Sequence, residues 1–180
     1  MEWNESYNIG IEVIDHQHRQ ILDYINALEQ VKSTGDRDKI REVLDDLIDY
    51  TQSHFSFEEN LLEQVSYQYL PSHRGIHELF VKKLNDYRLK FEQGQSIEKD
   101  LYRLLSKWLI NHIQHDDQDY VEAVRDNMLS YLRTQEKKKG KEAGLRVSLV
   151  RHSEMQTSFD RTFQQWPARS DVQGSLWTSL

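Results

Sequence analysis

The chain contains no cysteine, so it can form neither disulfide bonds nor thiolate metal ligands. A metal ion held by its side chains would therefore be bound through nitrogen and oxygen atoms. Proline and glycine are scarce as well, with two prolines and seven glycines among 180 residues. Because both residue types interrupt regular structure, their scarcity favours long helices joined by short connections.

Long apolar runs are also missing from the chain. None approaches the roughly 18 residues that a membrane-spanning helix requires. The first five residues, Met-Glu-Trp-Asn-Glu, lack the basic and apolar regions of a secretory signal peptide. We therefore expect a cytoplasmic protein that does not interact with membranes.

Charge divides the chain near residue 134. Residues 1–133 carry a net charge of −10 and residues 134–180 a net charge of +3, which together give −7. We expect a main domain over 1–133, whose acidity disfavours binding to nucleic acid. Residues 134–180 show no sustained period, and we expect a basic extension that is poorly ordered or serves as a linker. Alternatively, the last helix continues to about Lys139 and the remainder docks on a partner protein.

Apolar residues recur at steps of three and four in four segments, at about 14–28, 40–65, 73–91 and 101–124. Gly35, a turn near 66–71 and Gly94 separate these segments. Since short connections make neighbouring helices antiparallel, the pattern predicts an all-α, up-down-up-down four-helix bundle. Residues 1–13 form an N-terminal arm in this prediction. Asp15 and Ser96 are candidate N-caps, and Pro71 suits the first turn of the third helix.

Each predicted helix places histidine or carboxylate inside its apolar stripe. These residues are His18; His54 with Glu58; His73 with His77; and His112 with Asp117. Buried imidazole and carboxylate are costly unless they are hydrogen-bonded, paired or metal-bound. Their convergence predicts one polynuclear metal site. Five imidazoles and two carboxylates suit iron, suit zinc, copper or nickel less selectively, and do not suit calcium.

Spacing alone leaves the ligands of the fourth helix open. His115 and Asp116 compete there with His112 and Asp117. Residues five apart on an α-helix are rotated by about 140°, so His112 and Asp117 should reach different ions or allow a carboxylate bridge. Two octahedral ions need about twelve ligand positions. Five histidines, two bridging carboxylates and one bridging oxygen leave one position open, on the ion with fewer histidines, for a small molecule such as O2.

Five segments carry a resemblance to a known family. They are Trp3-x3-Tyr7-x2-Gly10, Ile14-Asp15-His16-Gln17-His18, His54-Phe55-x2-Glu58-Glu59, His73-x3-His77-x2-Phe80 and Trp108-x3-His112-Ile113-x3-Asp117. In order and spacing the chain resembles the bacterial hemerythrins from residue 1 to about 130. Ser66 and Gln68 depart from the glycine and proline that the family often has.

The resemblance implies a non-haem di-iron centre with an oxo or hydroxo bridge. It implies that His73, His77 and His112 hold one iron, and that His18 and His54 hold the other. Glu58 and Asp117 would bridge the two irons. The resemblance also favours His112 and Asp117, over His115 and Asp116, as the ligands of the fourth helix. O2 would bind reversibly at the iron held by His18 and His54. The walls of its pocket would be Ile21, Trp108, Leu109 and Ile113.

Three functional hypotheses follow from these residues and the resemblance. The first is reversible O2 binding for carriage, storage or delivery. The second is a module that senses O2 or redox state and signals through the extension or a partner protein. The third is a ferroxidase or peroxidase. It is the weakest, because none of the eight histidines follows a glutamate by three residues, as in ferritin-like sites. We therefore do not expect an enzyme.

Overall fold

The computed structural model describes residues 1–32 and 34–143, with side chains described as far as Gln135. The long helices are α1 (Glu12–Lys32), α2 (Arg37–Gln64), α3 (Leu70–Glu92), α4 (Glu98–Asn111) and α5 (Val121–Ala143). A π-helical turn (His112–Asp117) and a 3-10 turn (Gln118–Tyr120) connect α4 to α5. The described residues contain no strand. The predicted all-α four-helix bundle is confirmed, its fourth helix being interrupted by the π turn.

The apolar stripes of the helices form the interior. Helix α1 packs against α2 and α4, and α2 also packs against α3. Side chains no more than 5% exposed include Ile14, Ile25 and Leu28 on α1, Leu44 and Leu47 on α2, Phe80 and Leu84 on α3, and Leu101 and Leu105 on α4. Burying each such side chain contributes about 1.5–3 kcal/mol. Over the described part of the chain, no helix combines the length and apolarity needed to cross a lipid bilayer.

The turns between helices follow the sequence signals only in part. Gly35 and Gly94 adopt positive φ angles of 67° and 85° at the predicted breaks. Pro71 lies in the first turn of α3, as predicted. Ser66 has a φ of 55°, in the left-handed region that favours glycine. The predicted cap at Ser96 was wrong, because Ile97 occupies the N-cap position of α4.

Asp15 anchors the N-terminal arm instead of capping a helix. Helix α1 already begins at Glu12, so the predicted cap was wrong. The carboxylate of Asp15, 5% exposed, accepts hydrogen bonds from the amides of Ile9 at 2.8 Å and Gly10 at 3.0 Å. Burial raises the pKa of Asp15, although both amide hydrogen bonds lower it. Arg125 donates to the carbonyl of Ile9 at 3.3 Å, which also fixes this part of the arm.

Gly10 should tolerate alanine poorly, whereas Gly75 should tolerate it well. Gly10 has a φ of 78°, and an added Cβ would lie 2.5 Å from Nη2 of Arg125. A left-handed alanine costs roughly 1–2 kcal/mol before any displacement of that arginine. Gly75 lies within α3 with open space around its Cα, so Gly75→Ala should stabilise the helix by about 0.5–1 kcal/mol. Urea unfolding of both variants measures the change in the free energy of unfolding, which should fall for Gly10→Ala and rise for Gly75→Ala. Destabilisation of equal size at both positions would contradict this expectation.

The C-terminal boundary remains a prediction. Met1–Ser130 forms one unit by its internal contacts. Helix α5 continues to Ala143, past the predicted boundary between residues 133 and 134. The rest of the predicted basic extension, residues 144–180, lies outside the described residues.

Candidate metal centre

The seven predicted ligand side chains meet inside the bundle. Helix α1 supplies His18, α2 supplies His54 and Glu58, α3 supplies His73 and His77, and the π turn supplies His112 and Asp117. All seven residues are at most 4% exposed. On α2 and α3 the paired residues are four apart, which places them one above the other on the inward face. Four separate segments therefore bring polar groups to one buried place.

Two carboxylates lie at the middle of this cluster. The carboxylate of Glu58 lies 3.7 Å from Nε2 of His54 and 3.4 Å from Nε2 of both His73 and His77. The carboxylate of Asp117 lies 3.2 Å from Nε2 of His18, 3.0 Å from that of His112 and 3.7 Å from that of His73. Each carboxylate thus contacts imidazoles from at least two helices.

The π turn decides which residues of the fourth helix face the cluster. We expected about 140° between His112 and Asp117, and this was wrong because the helix is not α-helical there. A π-helix bonds residue i to i+5, and its wider turn brings residues five apart onto one face. His115 is exposed, and its Nδ1 donates to the carbonyl of Asn111 at 2.9 Å. The structure therefore brings His112 and Asp117 into the cluster, and leaves His115 outside.

Burial and neighbouring charges shift the pKa values of three imidazoles in opposite directions. Burial lowers the pKa of His54 to about 3 and that of His77 to about 2, so both rings are neutral. Burial alone would lower the pKa of His112 too, but Asp117 and Asp116 raise it to about 10. Nε2 of His112 therefore donates to Nε2 of His77, 3.0 Å away. Burial alone would raise the pKa of Asp117, yet the charge of His112 lowers it well below its usual range.

Several polar atoms of the cluster are buried without a hydrogen bond. Among the described residues they include both ring nitrogens of His18, both oxygens of Glu58, both oxygens of Asp117 and Nε2 of His73. A buried polar group without a partner costs about 1–3 kcal/mol. Metal coordination would satisfy these atoms, since imidazole nitrogen and carboxylate oxygen are suitable iron ligands. The donor atoms of Glu58, His73, His77 and His112 already lie within 4.8 Å of one another.

Three residues that sequence reasoning did not assign hold the outer nitrogens of the histidines. Nδ1 of His54 donates to the amide oxygen of Gln17 at 2.9 Å. Nδ1 of His77 donates to Glu59 at 2.9 Å, and Nδ1 of His112 donates to Asp116 at 3.0 Å. These bonds leave each Nε2 directed at the cluster. The adjacency of Gln17 to His18 and of Glu59 to Glu58 is the only sequence signal for the first two.

Aromatic and aliphatic side chains enclose the cluster. Of the predicted pocket residues, Ile21, Leu109 and Ile113 are at most 3% exposed, whereas Trp108 is half-buried. The ring of Trp108 stacks on His112, with centroids 4.3 Å apart. Phe55, to which the sequence analysis gave no role, stacks on His77 with centroids 3.7 Å apart. These contacts fix the planes of two imidazoles and limit access of water to them.

Comparison with known families identifies this arrangement. Residues 9–124 match the family model described as the hemerythrin HHE cation binding domain. The chain belongs to the hemerythrin family. The matched residues include all seven predicted ligands, and the hemerythrin domain is a di-iron family known for O2 binding. The predicted cofactor, a pair of iron ions, is therefore the cofactor of the family, and the buried cluster is able to hold metal.

Known hemerythrins resemble the chain over the same region. A bacteriohemerythrin of Pseudomonas paraeruginosa (strain DSM 24068 / PA7) is 45% identical over 126 residues, covering 70% of this chain and 82% of the relative. A bacteriohemerythrin of Stenotrophomonas maltophilia (strain R551-3) is 42% identical over 131 residues, covering 73% and 86%. A wild-type hemerythrin crystal structure is 32% identical with a TM-score of 0.66, covering 69% of this chain and 97% of that one.

Proposed function

We propose that this hemerythrin domain binds O2 reversibly at a di-iron centre and serves in oxygen carriage, storage or delivery. The observation that carries the proposal is the position of the two carboxylates. The carboxylate of Glu58 lies 3.4–3.7 Å from the Nε2 atoms of His54, on its own helix, and of His73 and His77 on α3. A carboxylate placed between two groups of imidazoles is suited to join two metal ions.

The proposed ligand set divides the histidines into three and two. His73, His77 and His112 would hold one iron, and His18 with His54 would hold the other. Glu58 and Asp117 would bridge both, as their contacts with imidazoles of both groups support. When bound, the two irons supply the two electrons that reversible O2 binding requires. The smaller group of histidines leaves room for a small ligand at its iron.

The apolar walls of the pocket would support reversible O2 binding by excluding water. Ile21, Leu109 and Ile113 are buried aliphatic residues, and they present no hydrogen-bonding group to a small ligand. Excluding water protects a reactive bound ligand from hydrolysis and from stray protons. The same side chains pack the bundle, so stabilising the fold and keeping the pocket dry are compatible roles.

Anaerobic reconstitution tests the proposed function directly. The full chain is loaded with Fe(II), exposed to O2 and then returned to an anaerobic buffer, while iron content and visible absorption are followed. Reversible binding predicts two irons per chain and a visible band that appears with O2 and disappears on its removal. Rapid irreversible oxidation with release of peroxide would instead indicate the sensor or the enzyme. Absence of bound iron would refute the di-iron proposal.

Leu109→Ala should shorten the lifetime of the oxygenated protein. Truncating this 2%-exposed wall residue opens space beside the pocket and admits water. Leu44→Ala is the matched control, because Leu44 is also fully buried and lies about 15 Å along α2 from His54. Both variants should lose about 2–5 kcal/mol of stability. Autoxidation, followed by the decay of the visible band, should accelerate only in Leu109→Ala. Equal acceleration in both would mean that general loosening, and not the pocket wall, controls the lifetime.

A specific observation favours the sensing alternative as a second candidate. The π turn carries His112 and Asp117 and is joined to α5 by the 3-10 turn alone, and α5 runs on to Ala143. A change in the positions of these two side chains would therefore occur close to the N-terminus of α5, the helix that leads to the basic extension. Hydrogen exchange of residues 134–143, compared between the deoxygenated and oxygenated protein, tests this route. Unchanged exchange there would favour the carrier over the sensor.

A further inference from the structure

The outer partners of the cluster histidines differ in charge. His77 and His112 donate through Nδ1 to carboxylates, those of Glu59 and Asp116, at 2.9 and 3.0 Å. His54 donates through Nδ1 to the neutral amide of Gln17, also at 2.9 Å. The three hydrogen bonds thus have similar lengths, but the acceptor is negatively charged in two of them and neutral in the third.

Glu59 is held in place from its other side. Its second carboxylate oxygen accepts a hydrogen bond from Nε of Arg74 at 2.8 Å. The ring of His77 is fixed independently, since Phe55 stacks on it with an interplanar angle of 4°. Arg74 is 45% exposed, so solvent screens its charge and it offsets that of Glu59 only in part. Beyond ring placement, Glu59 therefore contributes the remaining negative charge.

A carboxylate behind an imidazole strengthens the opposite nitrogen as a ligand. The charge attracts the Nδ1 proton and pushes electron density toward Nε2, which raises the basicity of the ligating atom. An amide oxygen fixes the same tautomer without supplying that charge. Both carboxylate-backed rings belong to the proposed group of three histidines, whereas the amide-backed ring belongs to the group of two. In that second group, Nδ1 of His18 has no hydrogen-bond partner among the described residues.

We infer that Glu59 and Asp116 are positioning residues that make the metal position at His73, His77 and His112 the tighter of the two. Gln17 is their neutral counterpart, which leaves the position at His18 and His54 weaker. The inference rests on the proposed division of the ligands between two ions. It adds an order of loading, in which the three-histidine position fills first and the other position follows.

Cobalt titration of the apoprotein tests this order without any oxygen chemistry. Co(II) is added anaerobically to the full chain in competition with a chelator, and the cobalt absorption bands report each equivalent. Two neighbouring ions repel each other, so the second equivalent would bind more weakly even if the two positions were identical. Two resolved affinities alone therefore do not test the inference.

The decisive comparison is between variants. Glu59→Gln should weaken the tighter equivalent about 10–100-fold and leave the weaker one unchanged. Gln17→Glu should instead strengthen the weaker equivalent.

Two controls separate this effect from general damage. Glu63→Gln removes an exposed charge one turn further along α2 and should change neither affinity. Thermal unfolding of the apoprotein should be the same for Glu59→Gln and for the parent within a few degrees, since the amide keeps the hydrogen bond to His77. If Glu59→Gln changes both equivalents alike, or neither, the inference is overturned.

The test also distinguishes this inference from the proposed function. A chain whose cobalt affinities respond as expected, but whose iron form does not bind O2 reversibly, would support the loading order and refute reversible O2 binding. A chain that binds no cobalt and no iron would overturn both.

Discussion

Replacing His77 by alanine should remove most of the bound iron, whereas replacing His16 by alanine should leave the iron content unchanged. His77 is 1% exposed, and its Nε2 lies 3.4 Å from the carboxylate of Glu58. His16 lies on the same helix as the proposed ligand His18, but it is exposed to solvent. Iron per chain after anaerobic reconstitution, measured by a chelator assay or by elemental analysis, compares the two variants directly.

The loss of iron in His77→Ala should result from the missing ligand and not from unfolding. Alanine at this position removes one imidazole and the hydrogen bond to Glu59, and it leaves a cavity beside Phe55. Circular dichroism should therefore still show a helical protein of somewhat lower stability. His77→Gln, which retains a polar side chain of similar length, serves as a second variant and should also lose iron. Equal iron contents in His77→Ala and His16→Ala would show that the ligand assignment is wrong.

The positions of the buried polar groups could be predicted because these groups interrupt the apolar stripes of the helices. A histidine at a step of four within an apolar stripe is conspicuous, and His18, His54, His73 and His77 are all of this kind. The helical period determines which face such a residue occupies, and the buried faces of four helices meet. The fold and the convergence of these four histidines were thus accessible from periodicity alone.

The π turn was not accessible in the same way. An α-helical period cannot place both His112 and Asp117 inward, so periodicity could not choose between Asp117 and Asp116. One additional residue in the turn resolves the conflict, because it shifts all later positions of the fourth helix. The structure uses both aspartates. Asp117 faces the cluster, while Asp116 accepts the outer proton of His112.

The outer partners were missed for a different reason. Gln17 and Glu59 are half-buried, and each occupies a position next to an inward-facing residue. On a helix such positions are usually polar because they border solvent, so their composition carries no signal of a specific contact. For Asp15, in contrast, the sequence did carry a signal, but the role it suggested was wrong. Its type and position suggested a local cap, but its partners, the amides of Ile9 and Gly10, come from the arm.

Removal of iron should lower the midpoint of thermal unfolding substantially. Without a metal ion, the oxygens of Glu58 and Asp117 and the nitrogens of His18 are buried without hydrogen bonds. Iron that binds the folded state alone stabilises it by about 4.1 kcal/mol when its free concentration is 1,000 times Kd. For a chain of this size that corresponds to roughly 8–16 °C in Tm. Differential scanning calorimetry of the anaerobic ferrous protein and of the apoprotein measures the difference.

The origin of this stabilisation can be traced with the variants already described. His16→Ala retains every residue of the cluster, so iron should raise its Tm as much as it raises that of the parent. In His77→Ala the gain should be small, because the chain loses one ligand and the binding affinity falls. The apoproteins of these two variants give the baselines that separate the cost of the substitution from the loss of binding. A parent protein whose Tm does not depend on iron would mean that the bundle tolerates its buried carboxylates and imidazoles without a metal. In that case the lack of hydrogen bonds at the oxygens of Glu58 and Asp117 would not be a measure of metal binding.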